Sequence, residues 1–178
     1  MQPLKLVAVV LKIAEIVFLL AGTGVVGYFI KEYYDDTKKL KYGYDRRDIG
    51  GLERYEFYLY TTVIGIIFAI ISFVALILGR LEKKNSGILA MVAVHALWAL
   101  QLVVATALLA KILTTFEEVK TIIGLRVVEK SLCDSLDESE KDYQCSHLIG
   151  GVVCGFFAFI LFCIDTVVYI IWCNKSTA

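Results

Sequence analysis

Proline is almost missing, with one in 178 residues. Long helices therefore meet little that would break them from within. An excess of charge is missing too, because 18 Lys and Arg offset 18 Asp and Glu. That removes the basic footprint of a nucleic-acid binder, and no nucleic-acid partner is expected. None of the five cysteines forms a Cys-x-x-Cys pair, which removes the thiol redox enzymes of four-helix type. No internal repeat and no low-complexity tract occurs. No nucleophile–base pair or metal set can be assembled either. The chain is accordingly read as not an enzyme, with no catalytic residue, no metal and no cofactor.

Apolar sequence is present in excess. Hydrophobic residues make up 58% of the chain and the mean hydropathy is +0.72, more than a soluble domain of this size can hide. The apolar residues fall in four runs, about 6–30, 58–79, 87–113 and 150–172. Each is long enough to cross a hydrocarbon core, which takes ~20 residues of helix. The expected fold is all-α: one domain over 1–178, a bundle of four transmembrane helices running up-down-up-down. Two outer loops, 31–57 and 114–149, lie on one side. The first run carries Lys12 and Glu15 and has no compact signal-peptide layout, so it reads as a retained span.

The last run holds one charge, Asp165. A carboxylate at the helix centre costs about 2.5–3.5 kcal/mol to insert, so it should face protein. At helical spacing Gly151, Cys154, Ala158, Asp165, Tyr169 and Trp172 share one face, while Val153, Phe156, Ile160, Val167 and Ile171 form the lipid arc. The other spans carry polar groups at a similar height. Counting ~1.5 Å per residue places Lys12, Glu15, Ser72, His95 and Asp165 about 10–14 Å inside the boundary near the termini. An interior cluster is expected in which Asp165 accepts from Lys12 or His95. It would either fix helix register or relay protons or ions, His95 being able to titrate near neutral pH. The outer half of the membrane offers few polar groups to continue such a path, which favours the structural role. Gln101 lies higher and on a different face.

Gly22 to Gly27 spells G-x-G-x-x-G, but no strand precedes it and it sits inside an apolar span. Close helix packing explains it better than a dinucleotide. Eight of the ten tyrosines fall between Tyr28 and Tyr60. Tyr28, Phe29, Tyr58 and Tyr60 are expected in an interfacial aromatic belt. Tyr33, Tyr34, Tyr42, Tyr44 and Tyr55 lie further out. They form either a partner-contacting loop surface or a solvated cap. The third helix is expected to continue through Ile112, Phe116, Val119 and Ile123 and to break near Gly124.

Cys133 and Cys145 flank a polar segment, and a disulfide is expected if that side is extracellular. Lys and Arg counts alone would put the large loops inside. The cysteine pair, and the density of Arg80, Lys83 and Lys84 against the span ends, point the other way. The termini are therefore placed in the cytosol. On that topology the Asn174-Lys175-Ser176 sequon is unused, and Cys173 is a candidate palmitoylation site. Cys154 and Cys163 read as small packing residues.

Absent motifs exclude several four-span families. There is no Cys-Cys-Gly of tetraspanins, no Trp and cysteine pair of claudins in the first loop, and no first-loop cysteine of connexins and innexins. The four-span layout, with Cys133 and Cys145 in the second outer loop, resembles the MARVEL-type tetraspan proteins. In size and loop lengths it is also similar to the small insect tetraspans of septate junctions, the Pasiflora-like group. The resemblance implies an M-shaped topology and a non-enzymatic scaffold or adhesion component at plasma-membrane cell junctions or in membrane trafficking. Its partners would be the lipid bilayer and other membrane or junction proteins, and homo-oligomers are one form it could take. The alternative is a small transporter or channel subunit built on the Lys/Glu/His/Asp cluster.

Overall fold

In hydrocarbon every backbone amide must find its partner within the chain, so apolar runs of this length fold as helices. A computed structural model describes residues 3–39, 52–79, 85–118, 120–123, 126–137 and 144–177. The elements are α1 (Pro3–Lys39), α2 (Leu52–Ile77), α3 (Asn85–Glu118), β1 (Lys120–Ile123), β2 (Arg126–Ser131), α4 (Leu132–Asp137) and α5 (Cys145–Thr177). Four of them, α1, α2, α3 and α5, are long and apolar enough to span a membrane, with apolar stretches of 31, 24, 31 and 30 residues. They alternate in direction. Packing neighbours around the bundle run α1–α2–α3–α5 and back to α1.

The lipid arc of α5 lies where its periodicity put it: Val153, Phe156, Ile160, Val167 and Ile171 are all exposed. Exposed apolar residues on α1 run from Leu6 to Tyr28 and on α5 from Ile149 to Ile171. Each band is about 33 Å tall at the helical rise, which matches a bilayer core. The helices do not stop at that band. Where the spans were expected at 6–30, 58–79, 87–113 and 150–172, α1 continues to Lys39, α2 begins at Leu52, α3 ends at Glu118 and α5 begins at Cys145. Part of what read as outer loop is helix that rises past the lipid. Its charged residues look like loop to a hydropathy count, but a buried apolar stripe persists beneath them. Val26, Phe29, Tyr55, Tyr58, Leu109, Ile112, Phe116 and Leu148 form one core at this end, with both disulfide cysteines in it.

The expected run of α3 toward Gly124 does not occur. Ile112 and Phe116 are buried on the helix as anticipated, but α3 ends at Glu118 and Ile123 belongs to β1. Val119 and Gly124 lie outside the described residues. The β-branched runs Thr121-Ile122-Ile123 and Val127-Val128 suit a strand better than another helical turn. β1 and β2 pair antiparallel, Ile123 opposite Arg126. Ser131 then caps α4, its Oγ accepting from the Asp134 N–H at 3.0 Å.

Cys133 and Cys145 form a disulfide that ties α4 to the first residue of α5, Cα to Cα 5.5 Å. Asp137 supports the same joint, since its Oδ1 accepts from the Cys145 N–H at 2.9 Å. Both sulfurs sit in buried residues. Cys133→Ser is expected to loosen only this end. Amide exchange should speed up in α4 and the first turn of α5, while the four spans keep their protection. Equal slowing or speeding across all helices would contradict it.

Candidate functional site

The tyrosines sort differently from the expectation. Tyr28 and Tyr60 are 41% and 59% exposed, as a belt requires. Phe29 and Tyr58 are buried and belong to the bundle. Tyr58 Oη donates to the Gly151 carbonyl at 2.8 Å, and a Cβ on Gly22 would stand 2.6 Å from the Tyr58 Oη. Gly22, the first glycine of the G-x-G-x-x-G run, thus makes room for a ring; Gly24 faces open space. Tyr33 and Tyr34 are on α1 and half-buried, and Tyr33 stacks on Phe29 at 5.9 Å. Tyr55 is 5% exposed on α2, so it is core and not a contact residue. Tyr42, Tyr44, Arg80, Lys83 and Lys84 lie outside the described residues.

At the end of the bundle near the termini, the polar residues of three spans converge on one nitrogen. Lys12 Nζ stands 2.7 Å from Glu15 Oε2, one turn along α1. It lies 2.5 Å from His95 Nε2 on α3. It is also 2.6 Å from Asp165 Oδ2 on α5, an ion pair rather than an aligned hydrogen bond. Lys12, Glu15, His95 and Asp165 are all fully buried. An ammonium has three protons and no lone pair, so His95 Nε2 must accept. That fixes the tautomer: Nδ1 carries the proton and donates to the Met91 carbonyl at 2.7 Å. His95 Nε2 and Asp165 Oδ2 are 3.4 Å apart, and with Nε2 accepting from Lys12 they share no proton.

Two rings complete the setting. The Lys12 ammonium lies 5.4 Å from the Phe162 ring centroid and 5.9 Å from that of Tyr169, within cation–π range. The His95 ring packs on the same two, at 5.4 and 5.5 Å. Ser72 departs from the expected cluster: its Oγ pairs with Tyr169 Oη at 3.0 Å. It supports the knot from α2 without touching the charges. Tyr169 is the member that periodicity placed on the right face but did not assign a role. Aromatic residues near a span end ordinarily read as belt.

The ligand atoms of Glu15, His95 and Asp165 lie within 4.8 Å of one another, a spacing that would suit a metal ion. Lys12 stands at the middle of all three, so the donor set is already occupied by an ammonium. Glu15 Oε1 and Asp165 Oδ1 meet no donor among the described residues.

The knot is closed above and below. Toward the termini, Ala8, Leu76, Ile88 and Trp172 are buried in one apolar layer. Toward the loops, Leu19, Leu102, Ala158 and Phe162 form another, each no more than 1% exposed. At the loop-side end, the buried Thr61 and Thr106 hydroxyls meet no partner among the described residues, and Trp98 Nε1 donates to the Thr61 carbonyl at 3.2 Å.

Fold and knot together define a four-span helical membrane protein held by an internal ion cluster. The sequence matches the MARVEL family, the membrane-associating domain, over residues 4–168. That covers nearly the whole chain, and the protein belongs to this family. Comparison with curated proteins and with solved structures gave no match.

Proposed function

We propose that the protein is a non-enzymatic tetraspan scaffold or adhesion component, acting at cell–cell junctions of the plasma membrane or in membrane traffic. Its termini lie in the cytosol and its disulfide-closed cap outside. The observation that supports this is the sealing of the Lys12 knot between two apolar layers. A transporter or channel needs polar groups along the whole span. Here the buried Lys, His, Asp and Glu side chains among the described residues, Lys12, Glu15, His95 and Asp165, occupy one height, so their role is to lock α1, α3 and α5 in register. What remains for partners is the loop side, where Tyr33 packs on the core that holds both disulfide cysteines and Tyr34 is half-buried on α1. The similarity in layout to the small insect septate-junction tetraspans points the same way. Cys173, half-buried near the end of α5, is the candidate palmitoylation site on this topology.

The relay reading has one observation in its favour, the Glu15 Oε1 and Asp165 Oδ1 oxygens, which meet neither a donor nor the ammonium among the described residues. A tagged protein imaged in polarised epithelium separates the two. Concentration at lateral contacts is expected. Flux in reconstituted vesicles, lost in a well-folded Asp165→Asn variant, would replace the scaffold reading with the relay.

A further inference from the structure

Gln101 is a polar residue of α3 that the bundle does not use, and unlike Thr61 and Thr106 it is not fully buried. It lies on α3, ten residues from Lys111 and twelve from Leu89. Those separations place it about 15–18 Å from either end of the apolar band, close to the bilayer midplane. Its side chain is half-buried, and its amide makes no hydrogen bond to any described residue. At that depth neither water nor a headgroup is within reach. An amide left bare in hydrocarbon is costly, and the usual remedy is a bond to another helix.

We propose that Gln101 is the centre of a two-fold interface through which two copies of this chain associate within the membrane. The argument for a second copy is the amide itself. A carboxamide offers a donor and an acceptor, so two of them related by a two-fold axis satisfy each other reciprocally. A histidine or carboxylate in its place would favour a partner of different chemistry.

The surroundings fit such a seam. Ala90, Val94, Leu97, Gln101, Val104 and Leu108 recur at alternating spacings of four and three, the spacing of a helix that packs on a parallel copy. Apolar residues at those positions are no signal in a span that is apolar throughout. A lone polar residue in the middle of the row is, because it fixes register and stoichiometry. Leu97 and Val104 are 63% and 52% exposed, so the row is open to a neighbour. Trp98, one position on from Leu97, turns inward to α2 instead.

The inference does not depend on the junction reading, since a protein confined to vesicles would associate in the same way. The test is energy transfer between labelled full-length copies in lipid vesicles, measured as the protein is diluted with lipid, alongside thermal melting. Wild type should be dimeric at high protein-to-lipid ratio. Gln101→Leu should lower the association constant about ten-fold without lowering the melting temperature, because no bond inside the bundle is lost. Gln101→Asn should retain association. A wild type that stays monomeric at every ratio, or a Gln101→Leu variant that associates as well as wild type, overturns the proposal. So does loss of association accompanied by a fall in melting temperature, which would make Gln101 a residue of the bundle.

Discussion

Lys12→Met is expected to give a protein that barely folds. Methionine keeps the length and apolar stem of lysine but removes the one cation. Glu15 and Asp165 would then face each other with oxygens within 4.8 Å, both fully buried, with no positive charge between them. Removing one partner of a buried ion pair typically costs about 3–5 kcal/mol, against a total stability of about 5–15 kcal/mol. Lys12→Arg should do little better. Three partners surround a single nitrogen here, and a planar guanidinium spreads its donors over a fork. The decisive measurement is rescue. The triple variant Lys12→Met, Glu15→Gln, Asp165→Asn removes every formal charge, and its folding yield in detergent should recover well above that of Lys12→Met alone. Asp165→Asn by itself should be milder than Lys12→Met, because it leaves the Lys12–Glu15 pair balanced. A Lys12→Met protein as stable as wild type would mean that the ammonium does not hold the knot.

The knot was legible in the sequence because the physics of a charge in hydrocarbon is unforgiving. Lys12, Glu15, His95 and Asp165 could each be assigned a depth from the helical rise alone, and groups at one height within one bundle have few other options. Asp165 could be turned inward because its helix has a clear lipid arc. Tyr169 and Tyr58 were not legible in the same way. A tyrosine near the end of a span is as well suited to the headgroup boundary as to the interior. Only the neighbours decide, Ser72 for the one and Gly22 and Gly151 for the other. Helix ends are hard to read from the sequence for a related reason. Hydropathy marks where lipid stops, whereas α1, α2, α3 and α5 continue for as long as Phe29, Tyr55, Phe116 and Leu148 have one another to pack on. The strands after α3 depend on local β-branched runs that an apolar periodicity masks.

The bundle is therefore pinned at two heights by opposite means: charge near the termini and close approach near the loops. The second pin is Gly151, and Gly151→Leu is expected to disrupt the bundle as severely as loss of the cation. All three other spans meet this glycine. A Cβ there would collide with the Val26 side chain of α1 and stand 3.3 Å from Leu109 Cδ2 of α3. Its carbonyl receives the Tyr58 hydroxyl of α2. Val26 is fully buried and β-branched, so its methyls have essentially one rotamer in a helix and cannot swing aside. Backing α5 away from α1 would break the Tyr58 bond and strand a hydroxyl in hydrocarbon. Overpacking alone costs about 1–3 kcal/mol, and the orphaned hydroxyl about 1–3 kcal/mol more. Thermal melting in detergent checks the size of the effect, and a compensating pair checks its cause. Gly151→Ala should destabilise by itself, and Val26→Ala in the same chain should restore most of the loss, because it removes the methyls that the new Cβ meets. If the double variant is as unstable as the sum of its parts, contact with Val26 is not what requires glycine at this position.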